Sequence, residues 1–125
     1  MKAEDKELLL KDLCARLPYV VYLFTNSKHH IRLLTISNDI DYDEQFWING
    51  LYDIDEVKPY LRKMSSMTEE EYKEYKGWID AVHNDPAIQS DGYFDWLNRK
   101  MFDYRGLIGK GLAIEVTEEN NPYKD

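Results

Sequence analysis

The chain has 125 residues, of which 43% are hydrophobic and 32% are charged, and its formal net charge is −8. This length and composition predict one domain whose core is large enough to fold without metals or disulfides. The single cysteine, Cys14, excludes an intramolecular disulfide and a zinc site built on cysteine pairs. The acidic balance argues against strong non-specific binding to nucleic acid. With no secretory leader and no membrane-spanning run, we expect a cytoplasmic protein without a membrane partner.

The first predicted element is a helix over residues 4–17, which Pro18 ends. Its apolar residues recur at three- and four-residue steps, the spacing of one helix face, at Leu9, Leu10, Leu13, Cys14 and Leu17. Arg16 lies in the last turn, where the helix dipole favours a cation. Because Cys14 belongs to the apolar stripe, we predict a small core residue there rather than a reactive thiol.

Three strands are predicted next, over residues 19–24, 31–37 and 46–52, from their content of β-branched and aromatic residues. Residues 25–30 are expected to form a hairpin connection and residues 38–45 an acidic loop. Gly50 is interpreted as a bulge within the third strand. The simplest arrangement of these segments is an antiparallel meander, which could curl into a barrel-like sheet.

The second half of the chain is predicted to be mostly helical. Residues 54–61 are ambiguous, because an acidic start favours a short helix while Pro59 opposes a long one. Thr68 and Glu71 fit a capping box that opens a helix to about His83. Its apolar face is predicted to carry Tyr72, Tyr75, Ile79 and Val82. Asp91 could cap a further helix over residues 93–101, and residues 112–116 are predicted to form a last strand.

Together these elements predict an α+β fold, in which a small antiparallel sheet packs with three or four helices. We expect residues 1–116 to form the single domain and residues 117–125 to be a polar, frayed C-terminal tail. Within the stretch 94–108, we assign Phe94, Trp96 and Leu97 to a core helix. The segment after them, around Asp103, is expected to be a fixed corner held by an ion pair or by a cap.

No known motif for catalysis, for a metal or for a cofactor is complete in this sequence. The acidic segment 39–44 begins like a calcium loop, but Glu44 and Gly50 occupy the positions of its required Gly and Glu, so a solvated loop is favoured. The three histidines, His29, His30 and His83, lack a matching carboxylate motif. The glycine-rich segment 106–111 has no Ser or Thr after Lys110, so we interpret its glycines as turns. We therefore predict no catalytic, cofactor-binding or metal-binding residue, although an enzyme would remain possible if a pocket held a strongly perturbed titratable group.

Three blocks of the sequence carry a resemblance to a known family. They are residues 11–19, residues 57–71 and residues 102–115, in the same order along the chain. The chain resembles a family of small uncharacterised proteins from gut Bacteroides-type bacteria and their phages or prophages. Val20 stands where family members commonly have Gly, and Lys63 where they commonly have Pro. The resemblance implies an origin and carries no activity, cofactor or catalytic residue to this chain.

Two functional hypotheses follow. The aromatic content of 14% and the lack of a catalytic motif favour a non-catalytic interaction or accessory module that binds an unknown protein partner or itself. The alternative is a nucleic-acid-associated accessory protein, which would use a local basic patch and stack bases on Tyr60 and Tyr104. That patch would form if two segments of +3 charge, at residues 58–63 and 99–110, met in the fold. The candidate partner-binding residues are Arg62, Lys63, Arg99, Tyr104 and Arg105.

Overall fold

A computed structural model describes residues 1–26, 30–38 and 45–124. The helices are α1 (Ala3–Arg16), α2 (Glu69–Asn84) and α3 (Pro86–Arg99), and short 3-10 turns cover Ile54–Glu56 and Met64–Ser66. The strands are β1 (Tyr22–Thr25), β2 (His30–Arg32), β3 (Ile36–Asn38), β4 (Phe46–Ile48), β5 (Tyr52–Asp53), β6 (Val57–Leu61) and β7 (Ile114–Glu115). The predicted α+β class is confirmed, with three α-helices in the described part of the chain. None of these helices has the length and apolar character needed to cross a membrane.

The strands form two separate open sheets rather than one antiparallel meander, so the barrel-like expectation is wrong. One sheet has the order β2-β1-β6-β7 and the other the order β3-β4-β5. All pairs are antiparallel except β6 and β7, which run parallel. The parallel pair arises because α2 and α3 form the crossover between these two strands.

The predicted third strand is a hairpin, because Asn49 and Gly50 turn the chain with positive φ angles of 55° and 72°. The Asn49 side chain also interrupts the predicted second strand. Its Oδ1 accepts hydrogen bonds from the N–H groups of Leu34 (2.7 Å) and Thr35 (3.1 Å), and its Nδ2 donates to the Arg32 carbonyl at 2.8 Å. The segment after Arg32 therefore leaves one sheet and enters the other.

The capping box at the start of α2 is confirmed. The Glu71 N–H donates to the Thr68 hydroxyl at 3.1 Å, and the Thr68 N–H donates to a Glu71 carboxylate oxygen at 3.0 Å. The predicted apolar face of this helix is partly wrong, since Tyr72 and Ile79 are exposed. Helix α3 begins at Pro86, earlier than expected, because proline suits the first helical turn.

Cys14 and Phe94 were both predicted to lie in the core, and both are exposed. In α1, the buried positions are Leu9, Asp12, Leu13 and Arg16, so a polar pair takes half of the inward stripe. The main core combines that stripe with the inner faces of both sheets. A second cluster holds Trp96, Leu97 and Phe102, which pack against aromatic residues of α2.

Tyr123 docks the end of the chain onto the larger sheet, so the expectation of a frayed tail does not hold at this residue. Its hydroxyl accepts a hydrogen bond from the Tyr22 N–H at 3.1 Å and donates to the Tyr60 carbonyl at 2.8 Å. The hydroxyl thus joins β1 to β6 just beyond their last paired residues, Leu23 and Pro59. Burial raises the pKa of the Tyr123 phenol above its ordinary value.

Gly92 allows the close packing of α3 on α2, and this packing can be tested against Gly77. A Cβ atom on Gly92 would lie 2.7 Å from Cη2 of Trp78, whereas one on Gly77 would meet nothing within 4 Å. Gly77→Ala should raise the free energy of unfolding by about 1 kcal/mol through helix propensity. Gly92→Ala should fall clearly short of that gain, because the Trp78 ring must move to make room for the methyl group. Urea denaturation distinguishes them, and equal stabilisation by both substitutions would contradict the close contact.

Candidate binding site

The chain makes a fixed corner directly after α3, and a carboxylate cap holds it. The Asp103 side chain accepts hydrogen bonds from the N–H groups of Leu107 (2.8 Å) and Ile108 (2.9 Å). Gly106, with φ of 75°, lies in the turn that Asp103 caps. An ion pair and a cap were the two roles predicted for Asp103, and the structure shows the cap.

One buried carboxylate connects α1 to this corner. Asp12 and Arg16 are fully buried, and the Asp12 oxygens accept hydrogen bonds from Arg16 Nε (2.9 Å) and Nη2 (3.1 Å). Arg105 Nη1 donates to the same carboxylate at 2.8 Å. Arg16 Nη2 also donates to the Phe102 carbonyl at 2.7 Å. A single negative charge is therefore shared by two guanidinium groups from distant parts of the chain.

Tyr104 extends this arrangement towards the surface. The guanidinium carbon of Arg105 lies 4.5 Å from the Tyr104 ring centroid, and that of Arg16 lies 5.4 Å from it. The Tyr104 hydroxyl donates to Asn98 Oδ1 at 2.8 Å, and the Phe94 ring centroid is 5.5 Å from the Tyr104 centroid. These side chains border a cavity of about 440 Å³, the α1–α3 pocket, which is lined by Lys11, Ala15, Phe94, Asn98, Tyr104 and Arg105.

A second ion pair joins the end of β6 to the first turn of α2. Arg62 donates to both Glu71 carboxylate oxygens, at 2.8 and 2.7 Å, and its guanidinium carbon lies 4.3 Å from the Phe102 ring centroid. Lys100 Nζ is 3.9 Å from the same carboxylate. The hydrogen bonds from Arg62 lower the pKa of Glu71 from its ordinary 4.5 to about 2, against the opposing effect of burial. Such a weakly basic carboxylate is unsuited to general-base catalysis at neutral pH.

Beside this ion pair lies an open cavity with a volume of about 450 Å³, which we call the cationic groove. Its lining combines the side chains of Arg62, Arg99 and Lys100 with apolar surface from Val20, Met101 and Val116. Arg99 is only loosely held, since its side chain is 56% exposed and its Nη1 lies 3.5 Å from Asp95 Oδ2. Cations at the end of α3 therefore face a cavity with an apolar component.

Four of the five candidate residues divide between these two cavities, and Lys63 lines neither. Arg62 and Arg99 line the cationic groove, whereas Tyr104 and Arg105 line the α1–α3 pocket. Lys63 is exposed and pairs with Glu115 at 3.2 Å. The two basic segments approach each other at the groove through Arg62, Arg99 and Lys100. Lys58 lines neither cavity.

Sequence reasoning missed the buried ionic residues that organise both cavities. Asp12 and Arg16 are four residues apart, which is a recognisable helical ion-pair spacing, but such pairs usually lie on the solvent side. Glu71 was identified as a cap, and its pairing with Arg62 had no signal in the sequence. Arg105 and Asp12, which form an ion pair, are 93 residues apart in the sequence, so no local pattern could have indicated this contact.

Within residues 1–26, 30–38 and 45–124, no group of three or more His, Cys, Asp or Glu side chains could hold a metal ion. The acidic segment 39–44 and His29 lie outside the described residues, so the calcium and histidine interpretations are not tested there. Burial raises the pKa of Tyr93 to about 12, as expected for a phenol packed between helices. The geometry thus offers two cavities with cations in their lining, the cationic groove and the α1–α3 pocket.

Comparison with known proteins adds no further identification: no protein-family model, no curated protein and no solved structure matches this chain.

Asp12→Asn should reveal the cost of leaving the two guanidinium groups without their shared carboxylate. We expect the substitution to lower the free energy of unfolding by about 3 kcal/mol or more, as for other buried ion pairs that lose one partner. Asp95→Asn, which removes the exposed partner of Arg99, should change it by less than about 0.5 kcal/mol. Urea denaturation measures both variants. Similar small losses in the two variants would show that Asp12 is not a structural centre.

Glu71 should make stability depend on acid pH. Its pKa in the folded protein is about 2, below the ordinary 4.5, so its stabilising contribution is full above about pH 4.5 and is lost as the pH falls towards about 2. Glu71→Gln should therefore be less stable than the wild type at neutral pH, and the difference should shrink over that acid range. Glu69→Gln, an exposed neighbour in the same turn, is the control. A difference that does not vary with pH would contradict the assignment.

Proposed function

We propose that this protein is a non-catalytic interaction module of phage or prophage origin that binds an acidic segment of a partner protein in the cationic groove. The observation that supports it is the convergence of Arg62, Arg99 and Lys100 on one concave, partly apolar surface of a chain with net charge −8. Carboxylates of a partner would be repelled by most of this acidic chain and attracted to that surface. Such a contrast in charge favours one orientation of encounter.

The charge balance around the groove supports an anionic occupant. In the ion pairs at the groove, four cations, Arg62, Lys63, Arg99 and Lys100, contact three carboxylates, Glu71, Asp95 and Glu115, so these pairs leave one positive charge. Arg62 is held in place by its two hydrogen bonds to Glu71, and it provides a positioned charge. Arg99 and Lys100 make only long ionic contacts, so a carboxylate from a partner can replace these at small cost.

The apolar part of the lining favours a peptide over a nucleic acid. Val20 and Val116 offer contacts for aliphatic side chains next to the cations. Base stacking was expected to use Tyr60 and Tyr104, but Tyr60 is only 5% exposed and Tyr104 lines the other cavity. The ring that does line the groove, Tyr123, is tied to β1 and β6 through its hydroxyl, so it is less free to stack on a base than the exposed rings on which single-strand binding ordinarily depends.

The decisive experiment compares two double variants with the same change in charge. Arg99→Glu with Lys100→Glu reverses charge in the groove, and Lys73→Glu with Lys110→Glu does so at exposed positions outside it. A fluorescent peptide of alternating glutamate and leucine serves as the probe. We expect the groove variant to bind about tenfold more weakly, which corresponds to about 1.4 kcal/mol, and the control to bind within about twofold of the wild type. Binding should also weaken with added salt.

Three results would contradict the proposal. The first is no binding of the peptide by the wild type at low salt, and the second is an equal loss in both double variants. The third is binding of single-stranded oligothymidylate that the groove variant loses while the peptide does not bind, which would favour the nucleic-acid alternative. Light scattering completes the test, because a dimer that dissociates only in the groove variant would identify a second copy of the chain as the occupant.

A further inference from the structure

We propose that the α1–α3 pocket binds a small aromatic anion, that is, a flat ring that carries a carboxylate or phosphate group. This site is separate from the cationic groove and does not depend on the function proposed for it. The two cavities share no lining residue.

The first argument is an excess of positive charge at the pocket. Asp12 is the only carboxylate that hydrogen-bonds Arg16 and Arg105 among the described residues, so this group of three side chains keeps one positive charge. Lys11, in the lining, is exposed and makes no ion pair with a described residue. No acidic side chain is among the described residues that line the pocket. Arg105 donates a hydrogen bond to Asp12 through Nη1 alone, so the other N–H donors of its guanidinium group remain for a ligand.

The second argument is the pair of aromatic rings. Phe94 is 45% exposed although it lies on the face of α3 that borders the pocket, and its centroid is 5.5 Å from that of Tyr104. The Tyr104 ring is already in contact with two guanidinium groups, which leaves Phe94 as the ring available to a ligand. An exposed phenylalanine beside cations offers apolar contact and offset stacking for a flat ring.

The third argument is a hydrogen-bond donor in the pocket lining. Asn98 Oδ1 accepts from the Tyr104 hydroxyl, which fixes the orientation of the amide. Its Nδ2 donates to no described residue, and it is not one of the fully buried atoms that lack a hydrogen-bond partner in the described chain. Solvent therefore reaches this atom. Nδ2 can therefore donate to an acceptor on the ring of a ligand. Asn98 would then select rings that carry such an acceptor.

The size of the cavity agrees with a small molecule. About 440 Å³ lies within the usual range for small-molecule pockets and is too small for a folded partner. The acid group would lie by Lys11 and Arg105, the ring against Phe94, and a ring acceptor near Asn98. Nucleoside monophosphates and aromatic carboxylates share this chemistry, and the experiment distinguishes them.

Titration followed by NMR tests the site with two acidic probes, adenosine monophosphate and 4-hydroxybenzoate. Their counterparts are adenosine and 4-hydroxybenzamide, which lack the acid group, and inorganic phosphate, which lacks the ring. We expect saturable binding of at least one acidic probe, with counterparts weaker by about tenfold because each lacks one of the two contacts. The probe that binds more tightly identifies which of the two ligand classes the pocket prefers, a nucleoside monophosphate or an aromatic carboxylate.

Matched variants locate the binding. Lys11→Ala and Phe94→Ala change exposed side chains of the pocket, and each should weaken the acidic probe by about tenfold. Lys73→Ala and Ile88→Ala remove an exposed cation and an exposed apolar side chain elsewhere, and both should bind as the wild type does. The groove variant Arg99→Glu with Lys100→Glu should also retain the probe, so the failure of either proposal is visible separately. Urea denaturation confirms that each variant is folded.

The proposal would be overturned by several results. One is that neither acidic probe binds at millimolar concentration. Another is that the pocket variants and the control variants weaken probe binding equally. Phosphate that binds as tightly as adenosine monophosphate, with no effect of Phe94→Ala, would mean an adventitious ion only. Adenosine that binds as tightly as its monophosphate would show that the positive charge plays no part.

Discussion

The Asp12 carboxylate is the constraint on which the arrangement of the candidate sites depends. It is fully buried in α1, and it binds Arg16 from its own helix and Arg105 from the corner after α3. A buried ion pair of this kind adds little net stability, because removing the charges from water costs about as much as their attraction returns. Breaking it is costly, however, because guanidinium groups would be left without a partner. Its main effect is therefore to specify where the corner lies relative to α1.

The opposite side of the corner is held by β6. The Arg62 N–H donates to the Met101 carbonyl and the Asp103 N–H donates to the Arg62 carbonyl, each at 2.8 Å, so the backbone continues a strand-like contact beyond β6. The Arg62 side chain then joins Glu71 at the start of α2. With α1 on one side and β6 on the other, the end of α3 separates two cavities. The cationic groove and the α1–α3 pocket therefore have separate linings.

Local patterns predicted some elements well and misassigned others for identifiable reasons. The capping box of Thr68 and Glu71 depends on residues three apart, so it could be recognised in the sequence and was confirmed. The Asn49–Gly50 pair is a strong hairpin signal, but it was interpreted as a bulge inside one strand. Cys14 was assigned to the core because an apolar stripe was assumed to point inwards. In the structure Asp12 and Arg16 occupy that side of α1, and periodicity cannot distinguish a buried ion pair from a solvated one.

The sequence by itself determined the α+β class, the absence of a disulfide framework, the beginning of α2 and the glycine turns after α3, because each depends on composition or on neighbours within one helical turn. Only the tertiary structure decided which strands pair, that β7 runs parallel to β6, and that four of the five candidate residues belong to two different cavities. Those outcomes depend on contacts between distant residues, such as the Arg105–Asp12 pair across 93 positions. A buried charge selects its partner by position in the folded chain, and no local pattern encodes that position.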